Sequence, residues 1–219
     1  MSKAVSIPEY SLSEELISSI SHGIGAGLAV SACVLGIIKA ARDIASVGAI
    51  GVVSAAVFGA AMIMLYCMSA IYHALPVGDA KRVFRVIDHC SVFLLIAGTY
   101  TPYALVSLHG ALGWTVFGVI WGLTALGIVF NAIDVDRFEN VSAVINLVMG
   151  WMVVFTARYL TASIGSTGMK LLIIGGVVYS LGAILYGLGD KIRYTHSIFH
   201  FFVLGGSILH FLSIYMTVL

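Results

Sequence analysis

The chain has 219 residues, of which 60% belong to the apolar set and only 10% carry a charge. Globular domains have about 45–50% apolar residues, glycine included, and about 25% charged ones. Eleven basic and ten acidic side chains cannot cover the surface of a soluble protein of this size. The composition therefore predicts a membrane protein, and the net charge of +1 excludes a nucleic-acid binder that works by neutralising phosphates.

The first residues, 1–12, are predicted to form a short cytoplasmic tail ahead of a transmembrane domain at 13–219. Glu9, Glu14 and Glu15 stand where a cleavable signal peptide would carry its basic region. The first hydrophobic segment is therefore expected to remain in the mature protein.

Seven predominantly apolar runs follow, each near the 20 residues that a helix needs to cross a bilayer. They lie at about 16–38, 47–75, 83–107, 112–131, 138–160, 170–188 and 195–218. Strands of a membrane barrel would be shorter and would alternate apolar with polar residues. The runs predict an all-α integral membrane protein with seven transmembrane helices and short connections.

Paired glycines within these runs predict places where helix backbones approach one another. The pairs are Gly23 with Gly27, Gly118 with Gly122, Gly175 with Gly176, and Gly205 with Gly206.

The distribution of basic residues predicts the orientation, because cytoplasmic loops carry an excess of Lys and Arg. With the N-terminus inside, the cytoplasmic segments hold Lys3, Lys81, Arg82, Arg85, Arg137, Lys191 and Arg193, and the opposite side holds Lys39, Arg42, Arg158 and Lys170. We therefore expect a cytoplasmic N-terminus, an external C-terminus and a multi-pass location in the cell inner (plasma) membrane.

Ionisable residues inside a membrane are costly and are candidates for function. Most of them fall at the predicted cytoplasmic ends of four spans: His22 in the first, His73 in the second, Asp88 and His89 in the third, and His196 and His200 in the seventh. The hydroxyl of Ser69 lies at the same end of the second span. At 1.5 Å rise per residue, each lies within about 10 Å of its helix end. His210 lies about 15 Å further along the seventh span and cannot join them.

The spacing of these residues suggests a metal site. His196 and His200 are one turn apart on one helix face, as are Ser69 and His73. Three imidazoles that leave one position open form a catalytic type of zinc (Zn²⁺) site, which activates water and polarises a carbonyl. Asp88 would then act as a base or orient a water or histidine, and Ser69 would donate a hydrogen bond to a developing oxyanion.

Simpler interpretations remain open for each residue alone. His196 and His200 could form an interhelical hydrogen-bond pair, and Asp88 could pair with Arg85 at the membrane interface. His22 could bond to a neighbouring helix, and serines such as Ser69 often serve helix packing. The shared depth of the histidines and Asp88 favours the metal.

The same residues carry a family resemblance. Ser69-Ala-Ile-Tyr-His73, Asp88-His89-Cys90, Ala97-Gly98-Thr99-Tyr100-Thr101-Pro102 and His196-Ser-Ile-Phe-His200 resemble the motifs of the hemolysin III family, the bacterial branch of the progestin and adipoQ receptor superfamily. Glu14-Glu15 followed by Ser21-His22-Gly23 resembles its N-terminal motif, which has asparagine where this chain has Ser18. Glu15 and His22 are therefore further candidate polar residues of the site.

The resemblance implies seven membrane helices and a zinc ion in the cytoplasmic leaflet. It implies His73, His196 and His200 as ligands, with Asp88 and Ser69 beside the metal. Eukaryotic relatives are linked to ceramide hydrolysis and bacterial ones to membrane fluidity homeostasis, so membrane lipids are the expected partners. The family name reflects reported cytolytic activity.

Two functions are therefore carried forward: a zinc-dependent, ceramidase-like hydrolase of a lipid amide or ester, and a non-enzymatic sensor whose helices are held together by zinc. A pore-forming cytolysin fits less well, since the spans are not amphipathic and charge-rich. A proton-coupled transporter would need ionisable residues across both leaflets rather than in one.

Overall fold

A computed structural model describes residues 5–189 and 191–219. Within those residues the fold is all helical and contains no β-strand. The helices are α1 Leu12–Arg42, α2 Ile44–Ala74, α3 Asp79–Pro102, α4 Gly110–Asp134, α5 Glu139–Trp151, α6 Val153–Gly187 and α7 Thr195–Thr217, with a π-helical segment, Tyr103–Leu108, between α3 and α4.

The first helix begins at a capping box. Ser11 accepts a hydrogen bond from the backbone of Glu14, whose side chain accepts one from the Ser11 backbone. Lys39 and Arg42 lie in the last turn, where their charge complements the helix dipole. The sequence thus specifies both ends of α1 locally.

Six helical segments of the described chain are long and apolar enough to cross a membrane, with Glu139–Gly187 counted as one segment of 49 residues. That segment is not one rod, because Gly165 has φ 67° and ψ −177°. Trp151 Nε1 donates a hydrogen bond of 3.0 Å to Ser180 Oγ, although a continuous helix would separate these residues by roughly 40 Å. The chain therefore folds back on itself between α5 and the end of α6.

Helix packing brings α1 against both α2 and α7, while α3 packs on α2 and α6 packs on α7. The start of α1, the end of α2 and the start of α7 consequently lie at the same end of the bundle. This end holds the predicted site residues.

The glycine prediction was wrong for two pairs. A Cβ at any of Gly23, Gly27, Gly118 or Gly122 would meet nothing within 4 Å, so these glycines lie on outward-facing helix surfaces. Gly175 and Gly206 do allow close approach, since a Cβ there would collide with His210 and Tyr179, respectively. An unforeseen close contact lies at Gly59, where a Cβ would collide with the side chain and Cα of Cys33 on α1.

We expect Gly59→Ala to destabilise the protein by about 1–3 kcal/mol, because the added methyl must push α1 away from α2. Thermal unfolding in detergent measures this as a lower Tm. Gly118→Ala is the matched control: it adds the same methyl on an exposed face and should leave the Tm unchanged or slightly raised. Equal Tm values for the two variants would contradict a tight α1–α2 contact.

Candidate metal centre

Three histidines from two helices converge at one end of the bundle. His73 is the penultimate residue of α2, and His196 and His200 lie in the first two turns of α7. Their exposed fractions are 3%, 8% and 1%, respectively. The predicted set is thus brought together and removed from solvent.

The geometry of the three rings suits a metal ion. One ring nitrogen from each lies within 4.8 Å of the others. His73 Nε2 is 3.4 Å from His196 Nε2, which is 3.2 Å from His200 Nε2. Nitrogens that bind zinc tetrahedrally at about 2.0–2.1 Å lie roughly 3.3–3.4 Å apart. The donor set and its spacing therefore fit a metal ion of this kind.

Glu15 orients His73. Its Oε2 accepts a hydrogen bond of 2.6 Å from His73 Nδ1, which leaves the lone pair of Nε2 directed towards the other two histidines. A carboxylate on the outer nitrogen fixes the tautomer of a ligating histidine and increases its basicity. The sequence marked Glu15 only as a candidate polar residue, and the structure shows what it contacts.

Lys81 holds Glu15 in turn. Its Nζ lies 2.8 Å from Glu15 Oε1 and donates to the carbonyl oxygens of Tyr72 and Leu75 at 3.1 and 2.9 Å. These contacts engage all three donors of an ammonium group that is only 2% exposed. The sequence treated Lys81 as a loop cation that indicates orientation, because nothing in its neighbours along the chain signals burial.

The start of α7 is anchored to the start of α1. Glu14 Oε1 accepts a hydrogen bond of 2.7 Å from the backbone N–H of Tyr194. The backbone carbonyl of Glu14 accepts one of 3.1 Å from Ser197 Oγ. Tyr194 has φ 65°, a left-handed conformation that this bond helps to hold. The contact places His196 and His200 relative to α1.

Asp88 and Ser69 line an apolar cavity of about 240 Å³ that His196 and His200 of the histidine cluster also border. The Ser69 and Asp88 side chains interact with each other. The cavity continues past His200 to His210, ten residues further along α7 and thus about 15 Å away. Polar groups suited to chemistry therefore stand at one end of an elongated apolar space.

The remaining sequence candidates have other neighbours. His22 does not join the three-nitrogen cluster but packs on the His200 ring at a centroid distance of 4.0 Å. Arg85 pairs with the carboxylates of Asp136 and Glu139, two partners that the alternative of an Asp88–Arg85 pair did not foresee. His89 lines the apolar cavity beside Asp88.

Comparison with known proteins gives a consistent family. The profile of a family described as "Haemolysin-III related" matches residues 10–211. "Hemolysin-3" of Bacillus cereus is 39% identical over 206 residues, which cover 94% of this chain and 92% of that protein. The "Hemolysin-3 homolog" of Bacillus subtilis (strain 168) is 40% identical over 205 residues, which cover 94% of each chain. The human "Monocyte to macrophage differentiation factor" is 25% identical over 171 residues, 74% of this chain and 69% of that protein.

Replacement of Glu15 by Gln should weaken metal affinity about 10–100-fold, because the amide cannot supply the charge that orients and polarises His73. Titration of the purified, metal-free protein with zinc measures the effect. Glu9→Gln, which changes an exposed carboxylate in the preceding segment, is the matched control and should leave affinity unchanged.

His196→Ala/His200→Ala should abolish binding, and an unaltered metal content in that double variant would contradict a site at these histidines.

Proposed function

The chain belongs to the hemolysin III family, as its motifs predicted, and from that premise we propose that it is a zinc-dependent hydrolase of an amide or ester bond in a membrane lipid. The observation that carries the proposal is a group of three converging imidazoles, two of which, His196 and His200, border an apolar cavity. A metal centre that borders such a cavity can meet a lipid without drawing it into water.

Zinc is the proposed ion because three neutral imidazoles that leave a fourth position open suit it. A zinc ion held there would polarise the substrate carbonyl and activate a water for attack. Glu15 supports this proposal, since a carboxylate on the outer nitrogen of a ligating histidine is a recurrent feature of zinc sites.

We assign the proton transfers to Asp88 and the charge stabilisation to Ser69. Water adds to the carbonyl carbon and gives its proton to Asp88, while Ser69 Oγ donates a hydrogen bond to the oxygen that becomes negative. Asp88 then passes the proton to the leaving nitrogen or oxygen as its bond to carbon breaks. The products are a carboxylic acid and an amine or alcohol, so the balance requires no further reactant.

The cavity supports a substrate with a long apolar chain. Polar side chains also line the cavity, but most of its wall surface is apolar and comes from residues such as Leu95, Leu160, Leu172 and Val203. An acyl chain would extend from the histidines towards His210. Turnover of such a lipid would link the protein to membrane lipid and fluidity homeostasis.

A second candidate function is a non-enzymatic sensor in which the metal holds helices together. It is favoured by the contacts of His73, which joins α2 to α7 through the cluster and to α1 through Glu15. This function predicts that His200→Ala loses the fold or the signal while no condition yields a lipid product.

We also propose seven crossings, with the N-terminus cytoplasmic and the C-terminus outside. The break at Gly165 and the Trp151–Ser180 hydrogen bond support a division of the 49-residue segment into two crossings. The seven-to-four distribution of basic residues supports the orientation.

Asp88→Asn should reduce lipid hydrolysis at least about 10²-fold and leave zinc bound, because an amide cannot accept the proton but keeps the shape of the side chain. The assay follows fatty acid released from a ceramide and from an ester lipid in liposomes, with metal content measured on the same sample. Asp134→Asn, at the end of α4, serves as the control. Wild-type turnover by Asp88→Asn would refute the catalytic assignment, and absence of product from the wild type would favour the sensor.

Single cysteines in a background without Cys33, Cys67 and Cys90 test the crossings. A membrane-impermeant maleimide should label Ser166→Cys in intact cells, and should label Lys191→Cys only after the membrane is permeabilised. Six crossings would instead bury residue 166 in the bilayer and put residue 191 outside.

A further inference from the structure

The segment of residues 5–11, here called the strap, crosses the end of the bundle without forming a helix. Ser6 fastens it to the turn after α4: its backbone N–H and its hydroxyl donate to the two carboxylate oxygens of Asp136 at 2.8 and 2.7 Å. Arg85, which is 3% exposed, donates to both the Ser6 carbonyl, at 2.9 Å, and Asp136. One buried cation thus ties the strap to α3 and to the α4–α5 turn.

At its other end the strap covers a metal-site histidine. The ring of Tyr10 stacks on that of His196, with centroids 4.6 Å apart and planes inclined by 19°. The Tyr10 ring also lies 6.2 Å from the His73 ring. Tyr10 therefore separates the histidine cluster from the space outside the bundle.

Between these two attachments the strap roofs a second cavity of about 190 Å³, here called the polar chamber. Its walls combine strap residues with Tyr72, Arg85, His89, Glu139, Tyr186 and His196. Four of these residues, His89, Glu139, Tyr186 and His196, also line the apolar cavity. His196 thus stands at the boundary between a polar space under the strap and an apolar space inside the bundle.

We propose that the strap gates a water route to the histidine cluster: water and small water-soluble molecules reach the site through the polar chamber when the strap lifts, while lipid reaches it through the apolar cavity. The role of this route in hydrolysis rests on the proposed function. Hydrolysis consumes one water per turnover, and the three histidines are buried. The chamber is lined by hydroxyl, guanidinium and imidazole groups, which can hold that water and pass it to His196 at the boundary with the apolar cavity.

The contacts of Asp136 with Ser6 and Arg85, here called the latch, stay charged near neutral pH. Burial opposes ionisation of Asp136, but the hydrogen bonds from Arg85 and Ser6 lower its pKa to about 2. The stabilisation from this ionised latch is complete above about pH 4 and is lost only as the pH falls through about 2. Opening near neutral pH therefore means breaking the contacts of Ser6 and Tyr10 rather than titrating Asp136.

The test compares Ser6→Ala/Tyr10→Ala with Tyr159→Ala, a control that removes an exposed tyrosine from α6. Two rates are measured: zinc removal from the loaded protein by EDTA, and labelling of His89→Cys, in the cysteine-free background, by a water-soluble maleimide. We expect the strap variant to increase both rates at least tenfold and the control to change neither. A Ser6→Cys/Asp136→Cys disulfide should slow both rates, and reduction should restore the rate of zinc removal.

The labelling rate needs no metal, so the gate and the proposed function can fail separately. If the wild type never binds zinc but labelling still accelerates in the strap variant, the metal site is wrong and the gate stands. If zinc loss accelerates while labelling does not, Tyr10 acts on His196 directly and the gate is refuted. Unchanged labelling in both the strap variant and the disulfide-locked protein likewise refutes it.

Discussion

The buried ammonium of Lys81 is the contact on which the rest of the site depends. A cation inside a membrane protein is costly unless every donor is engaged, and Lys81 engages the Glu15 carboxylate and two carbonyls at the end of α2. Those carbonyls belong to the helix terminus that carries His73, and Glu15 bonds to the His73 ring. These contacts thereby hold the start of α1, the start of α3 and the end of α2 in one arrangement around the imidazole of His73.

A second constraint separates polar from apolar space. The histidine cluster borders both cavities through His196, so this residue lines both a chamber of polar side chains and a mostly apolar space. Reactions that join water to a lipid require such a boundary, because each reactant is excluded from the other's medium. The strap covers the polar side of this boundary, and residues of α3, α5, α6 and α7 line the apolar side.

Much of this site is predictable from the chain. The spacing of His196 and His200, the position of His73 at the end of an apolar run and the shared depth of all three follow from helical geometry alone. The contacts of Lys81, Arg85 and Tyr10 do not, because their partners lie at distant positions in the chain. Helix packing is likewise not predictable from glycine spacing alone. Gly23 and Gly118 each belong to a small-residue pattern that permits a close helix contact, but no neighbouring helix of the described chain lies against them.

The sequence by itself determined the membrane environment, the helical class, the family and the three histidines, because hydrophobicity and the 3.6-residue period are local properties of a chain. Only the tertiary structure decided that Glu15 bonds to His73, that Arg85 pairs with Asp136, and that residues 139–187 fold back on themselves. In lipid, a polar group must find its partner within the protein. Which partner it finds depends on how the helices pack, and packing is a property of the whole bundle.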